Sequence, residues 1–169
     1  PGNVFVDDAG HVKVLDFGIA RLVDDDRSAT LQTHTGEVLG TLAYMSPEQA
    51  NGLHDRIDVR TDVYAAGVLG YQLLAGVLPI AVDAPSLTAN LRRVAEADPL
   101  PLSRHDRSFA GDLETIFAKA LRKEPEHRYA SMQAFGDDLR RFLAHEPIAA
   151  RPTTPDSGTG LRSVASSAS

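Results

Sequence analysis

Asn3 and Asp16 are the residues whose types and spacing most readily support chemistry. Asn3 precedes the apolar run Val4-Phe5-Val6, and Asp16 follows the run Val12-Lys13-Val14-Leu15. Between the runs lies Asp7-Asp8-Ala9-Gly10-His11, a polar stretch with a glycine that reads as a hairpin turn. Asn3 lies six residues before Ala9, the middle of that turn, and Asp16 seven after it, so antiparallel pairing would make them near cross-strand neighbours with side chains roughly 5 Å apart. An amide oxygen and a carboxylate at that separation suit a hard cation such as Mg²⁺, which takes oxygen ligands and is usually shared with substrate phosphates. This is a phosphoryl-transfer metal site in outline. Asn and Asp flanking short strands are also ordinary turn residues, so the rest of the chain must decide between the two readings.

The elements that would position such a site follow the hairpin. Residues from Ile19 to Gly40 are polar and irregular, with the acidic run Asp24-Asp25-Asp26 and several hydroxyls, and loops of that length are uncommon unless functional. Pro47 opens a short helix with Ser46 as its N-cap. Val63 to Val82 contains no charged residue and is long enough to raise a transmembrane reading. Gly67, Gly70, Gln72, Gly76 and Pro79 argue against a simple span, and Leu74-Ala75-Gly76 has the form of a helix C-terminus. A helix that is apolar all round is either a span or a helix buried in a large core. Ser86 to Glu96 reads as a more polar helix. Leu113, Ile116, Phe117, Ala120 and Leu121 form one apolar stripe at helical spacing. Met132, Phe135, Leu139, Phe142 and Leu143 form another, with Ser131 as N-cap and Pro147 beyond the stop. From Ile148 onward the chain turns to Pro, Thr, Ser and Gly without periodicity, which reads as linker or disorder.

Composition narrows the partners. Hydrophobic residues make up 43% and charged residues 24%, as in a soluble globular chain. The net charge of −6 argues against a nucleic-acid-binding or anionic-membrane surface. Arg92-Arg93 and Arg140-Arg141 are short basic pairs on solvated helix faces. The absence of cysteine excludes disulfides and thiolate metal sites. The 6 histidines show no metal-ligand spacing, and none is assigned to catalysis.

Several motifs, in order, resemble the protein kinase family. Pro1-Gly2-Asn3 is similar to the end of the catalytic loop, and Asp16-Phe17-Gly18 to the magnesium motif. Gly40-Thr41-Leu42-Ala43-Tyr44-Met45-Ser46-Pro47-Glu48 resembles the close of an activation segment, with Ser46-Pro47-Glu48 standing for Ala-Pro-Glu. Asp62-Val63-Tyr64-Ala65-Ala66-Gly67 resembles the start of the family's central helix, and Lys123-Glu124-Pro125-Glu126-His127-Arg128 the stretch carrying its late arginine. The flavour is that of bacterial kinases that resemble eukaryotic serine/threonine kinases. By the motif spacing, the catalytic aspartate would sit three residues before Pro1, and the glycine-rich loop, strand lysine and its glutamate partner further upstream.

The resemblance implies a role for each matching residue. Asp16 would bridge Mg²⁺ to the ATP phosphates, and Asn3 would hold a second metal ion, making both catalytic, cofactor-binding and metal-binding positions. Phe17 and Gly18 complete the motif, glycine giving the turn into the activation segment its freedom. Thr41 would shape the acceptor site and, with Tyr44, favours Ser or Thr substrates. Ser28, Thr30, Thr33 and Thr35 lie where activating phosphorylation would add about two negative charges each, and solvated loop hydroxyls are the alternative for any of them. Asp62 would accept backbone amides of the catalytic loop, and as a carboxylate near a helix N-terminus it also suits the helix dipole. Glu48 and Arg128 would form a buried ion pair tying the activation segment to the late helices.

The expected fold is the C-terminal lobe of a protein kinase-like α+β domain, mainly helical with one β-hairpin carrying the metal ligands. Residues 1–147 would form the lobe and residues 148–169 a disordered tail or linker. The expected activity is transfer of the γ-phosphate of ATP, with Mg²⁺, to Ser or Thr hydroxyls of protein substrates. The fragment without the upstream lobe and catalytic aspartate is expected to be inactive alone. No nucleic acid is expected as a partner, and membrane contact only through regions outside this chain. The expected compartment is the cytoplasm, whether free or as the cytoplasmic part of a membrane-anchored protein. Two other readings stay open: a degenerate kinase-like scaffold, and a membrane-anchored piece using Val63–Val82 as a span.

Overall fold

The computed structural model describes residues 4–8, 10, 12–14, 40 and 42–150. Strands β1 (Val4–Val6) and β2 (Val12–Val14) pair antiparallel, with Val4 opposite Val14, Phe5 opposite Lys13 and Val6 opposite Val12. The Gly10 N–H donates to the Asp7 carbonyl at 2.8 Å, and Gly10 has a φ of 82°, which glycine adopts without a Cβ clash. This register is symmetric about position 9, whereas the pairing inferred from the sequence is centred between positions 9 and 10. Direct opposition of Asn3 and Asp16 needs Val4 to face Leu15, one step from the observed partner, and one step in an antiparallel pair exchanges the faces of the sheet. Asn3 and Asp16 themselves lie outside the described residues.

Five helices make up the remainder of the described architecture. Helix α1 (Pro47–Ala50) starts with a capping box: Ser46 Oγ accepts from the Gln49 N–H, and the Gln49 side chain accepts from the Ser46 N–H at 2.9 Å. Helix α2 (Val59–Ala75) is capped by Asp58, whose carboxylate accepts from the Arg60 N–H at 2.7 Å, and stops at Gly76, with φ 72°. Helix α3 (Leu87–Glu96) has Ser86 as its N-cap. Helices α4 (Asp112–Ala120) and α5 (Met132–Leu143) follow, α5 capped by Ser131. Short 3-10 turns at His54–Arg56, Leu102–Arg104, Arg107–Phe109 and Pro125–His127 join them.

Helix α2 is the axis against which α4 and α5 pack. Its buried residues Val63, Tyr64, Gly67, Val68 and Tyr71 recur at helical spacing on one face, whereas Leu73 and Leu74 are exposed. The uncharged run is therefore buried on one face and not all round. It also breaks at Gly76, and among the described residues no helix is long and apolar enough to cross a membrane. That sets aside the span reading of Val63–Val82. Val63, Tyr64, Val68 and Tyr71 meet Leu113, Ile116, Phe117 and Ala120 of α4 and Phe135 of α5 in one core. The α5 stripe is narrower than its apolar pattern implies: Phe135 is buried and Leu139 and Phe142 partly so, but Met132 is 45% and Leu143 75% exposed.

The lobe also runs further than the sequence indicates. Ile148, expected in the tail, is buried in the core. The N–H groups of Ala149 and Ala150 donate to the two oxygens of Asp138 at 2.7 and 2.8 Å, and Tyr129 and Arg141 donate to the same carboxylate. Asp138 is fully buried, so four donors replace the water it lost. The expected boundary at residue 147 thus moves to at least Ala150, because a buried carboxylate on α5 fastens the returning chain.

The contact between α2 and α4 is close because glycine permits it. A Cβ at Gly70 would stand 2.6 Å from Cε1 of Phe117, a buried ring packed edge-on against Phe135 at 5.9 Å. Replacing Gly70 with alanine should therefore lower stability by roughly 1–3 kcal/mol despite alanine's higher helix propensity. Thermal unfolding of G70A checks this, and an unchanged or higher Tm would show that the ring moves aside without cost.

Candidate functional site

The described residues bring one pair of sequence-predicted site residues together: Glu48 and Arg128. Pro47 starts α1 and places Glu48 in its first turn, where the side chain turns inward. Arg128 ends the turn Pro125–His127, which the fixed φ of Pro125 helps to open. Arg128 Nη1 and Nη2 donate to Glu48 Oε1 and Oε2 at 2.8 and 2.7 Å, a bidentate fork with the side chains 0% and 2% exposed.

The rest of the guanidinium is also satisfied. Nε donates to the Arg122 carbonyl at 2.7 Å, Nη1 to the Arg60 carbonyl at 3.1 Å and Nη2 to the Lys123 carbonyl at 2.9 Å. An arginine has five N–H donors, and each finds an acceptor here. Thr61 Oγ1 donates to Glu48 Oε1 at 2.8 Å, and the Tyr64 ring lies 4.9 Å from the Arg128 guanidinium carbon. Burial alone would raise the Glu48 carboxyl. Donors from Arg128, the backbone and Thr61, together with the Arg128 charge, outweigh it and hold the group below its ordinary value of 4.5. The cluster fastens α1, the start of α2 and the loop after α4 at one point. It does no chemistry on a substrate itself.

The other site residues divide into two groups. Asp62 lies in the first turn of α2, exposed, with no hydrogen bond or ion pair among the described residues, and the N-cap is Asp58. Asn3, Asp16, Phe17, Gly18, Ser28, Thr30, Thr33, Thr35 and Thr41 lie outside the described residues. Among the described residues no group of three or more His, Cys, Asp or Glu could hold a metal ion. An amide and a carboxylate remain a chemically suitable donor pair for Mg²⁺.

Sequence reasoning missed three polar contacts among the described residues. Thr61, one of the donors to Glu48, gives no signal beyond its place near a helix start. Tyr44 donates to Gln72, the one amide side chain within the uncharged stretch of α2, so the Gln72 polarity that counted against a membrane span has a tertiary partner. Tyr71, apolar in the pattern, donates to the Leu100 carbonyl and meets His105 Nε2 at 2.8 Å.

Residues 1–139 match the family profile described as "Protein kinase domain". The chain belongs to the protein kinase family. The serine/threonine-protein kinase PknB of Mycobacterium leprae is 40% identical over 147 residues, 87% of this chain and 22% of its own length. Pkn1 of Myxococcus xanthus, also named a serine/threonine-protein kinase, is 42% identical over 160 residues, 92% of this chain and 22% of its own length. PknB of Mycolicibacterium smegmatis is 39% identical over 141 residues, covering 83% of the chain. The chain thus spans about a fifth of the length of these relatives. Glu48–Arg128 is the part of the family's motif set that the described geometry brings together.

Two outcomes follow from this ion pair. Removing Arg128 leaves a buried carboxylate without its partner, so R128A in the complete protein should cost roughly 3–5 kcal/mol. R92A removes only an exposed pair with Glu96 and should stay within about 0.5 kcal/mol of wild type. Equal melting temperatures for the two variants would remove the ion pair from the account of stability. Because the Glu48 carboxyl titrates below 4.5 when folded, its stabilisation is present above the unfolded value and is lost as pH falls through the folded one. Denaturant titrations should therefore show wild-type stability falling below about pH 4.5, with a shallower fall in E48Q.

Proposed function

We propose that the protein containing this chain transfers the γ-phosphate of ATP to Ser or Thr hydroxyls of protein substrates. The observation that carries the reading is the closed Glu48–Arg128 fork, set at the end of the activation-segment motif of a kinase-family chain whose relatives are named serine/threonine kinases. Such a fork fixes the chain after Thr41 against α2 and the loop after α4, so the acceptor-binding segment starts from a rigid base.

Asp16 and Asn3 would hold Mg²⁺ and through it the nucleotide phosphates, on a hairpin whose strands β1 and β2 end beside them in sequence. The metal supplies charge neutralisation at the phosphates when bound. The chain's own residues contribute position: Thr41 would line the acceptor hydroxyl, and Asp62 would brace the catalytic loop from the head of α2. Ser28, Thr30, Thr33 and Thr35 are the proposed sites at which phosphorylation would order the activation segment. Protein substrates and ATP are the proposed partners, and the residues from 1 to 150 the proposed lobe.

The test uses the complete protein. D16A should lower Mg²⁺-dependent phosphorylation of a Ser/Thr acceptor protein by about 10²-fold or more, while its Tm stays within a degree or two of wild type. Full activity in D16A would overturn the assignment. Absence of Mg²⁺-dependent nucleotide binding in the wild type would instead favour the scaffold reading. Residues 1–169 alone should be inactive, since much of the positioning lies upstream, and phosphoryl transfer by that fragment would refute this.

A further inference from the structure

Lys123 is half-buried at the edge of a cavity of about 480 Å³, whose walls include Tyr71, Leu102, Phe117 and Leu121. Its Nζ donates to the Val94 carbonyl, in the last turn of α3, at 2.8 Å. We propose that Lys123 is a site of Nε-acetylation, taking the acetyl group from a small uncharged acyl donor of the thioester class that enters this cavity.

Three features of the geometry support the assignment. The single hydrogen bond fixes the amine at the cavity without consuming it: a neutral amine keeps an N–H for Val94, and so does the amide that acetylation produces. Apolar walls beside the nitrogen offer contacts for an acetyl methyl. The charged groups around it come from every neighbouring element: Asp98 after α3, Glu114 on α4, Arg122 and Glu124 beside it in the chain, and Arg128. Arg128 is already committed to Glu48, and Arg122 is one cation against the three carboxylates Asp98, Glu114 and Glu124, so the cavity disfavours an anionic donor and leaves an uncharged one preferred.

The reaction balances without a further reagent. The Nζ lone pair attacks the thioester carbonyl carbon, the C–N bond forms and the C–S bond breaks. The sulfur leaves as a thiol carrying the proton that nitrogen gives up. Burial, the largest influence, makes the amine easier to deprotonate. Asp98 and Glu124 oppose that effect and Arg128 adds to it, bringing the group from 10.5 to about 8. Near neutral pH this leaves on the order of 10² times more neutral amine than an ordinary lysine has. The Lys123 carbonyl belongs to the Arg128 cradle, so the modified residue sits within the fastening point described above.

The chain contains only three lysines, Lys13, Lys119 and Lys123, which makes the test direct. The folded full-length protein is treated at pH 7.5 with an uncharged acetyl thioester (the acetyl ester of N-acetylcysteamine), and in parallel with acetyl phosphate. Peptide mass spectrometry then follows acetylation at each lysine. Lys123 should react at least about tenfold faster than Lys119, faster with the thioester than with acetyl phosphate relative to Lys119, and with a rate midpoint near pH 8. D98N should accelerate it further at pH 7.5. Reaction at Lys123 no faster than at Lys119 would overturn the proposal. So would an advantage that survives unfolding in guanidinium, since that would belong to the local sequence and not to the cavity. A relative preference for acetyl phosphate would overturn the choice of donor.

Discussion

Arg128 presents five N–H donors in one rigid plane, and the lobe is arranged so that all five are met: two by Glu48 and three by the carbonyls of Arg60, Arg122 and Lys123. Glu48 and Arg60 stand 80 and 68 residues from Arg128, and a planar fork of fixed geometry can meet them together with the nearby Arg122 and Lys123 carbonyls only when α1, α2 and the loop after α4 stand in one arrangement. A buried ion pair is not by itself a strong source of stability, because desolvation opposes the Coulomb gain. What it enforces is geometry, since any arrangement that leaves one of its partners dry and unpaired is costly. Thr61 and Tyr64 complete the enclosure, one by a hydrogen bond and the other by its aromatic face.

The same logic recurs around Asp138. Asp138 is buried without a bidentate arginine, yet it gathers Tyr129, Arg141 and two backbone N–H groups. Burial raises its carboxyl, and these donors together bring it below its ordinary value. Because Tyr129 follows Arg128 directly, one short stretch of chain carries both fastenings: Arg128 holds Glu48, at the end of the activation-segment motif, and Tyr129 meets the carboxylate that holds residues 148–150. The apolar packing of α2 on α4 is brought close by Gly67 and Gly70, where a Cβ would stand 3.1 and 2.6 Å from its nearest neighbour.

Much of the helical framework was legible. Ser46, Ser86 and Ser131 cap helices at the positions their sequence context indicates, and Gly76 ends α2 in the left-handed conformation. Caps are local: a hydroxyl reaching an N–H three residues away depends on nothing distant. The α4 stripe reads correctly because Leu113, Ile116, Phe117 and Ala120 face a core on one side. The α5 stripe reads too wide, since periodicity reports which residues could be buried and not where the neighbouring helix ends. The hairpin register is the one symmetric about position 9, the middle of the polar stretch 7–11, whereas direct opposition of Asn3 and Asp16 needs a centre half a residue later.

The sequence by itself determined the family, through motifs whose order and spacing are written in residue identity, and it determined the Glu48–Arg128 partnership by resemblance alone. It also set helix starts and stops, which rest on contacts within a turn of chain. Only the tertiary structure decided which face of the uncharged run in α2 is covered, that Asp138 fastens Ala149 and Ala150, and that Lys123 stands between a carbonyl of α3 and a cavity. Those outcomes depend on groups far apart in sequence arriving at the same place. Burial, desolvation and donor count are properties of that place, and no stretch of chain carries them alone.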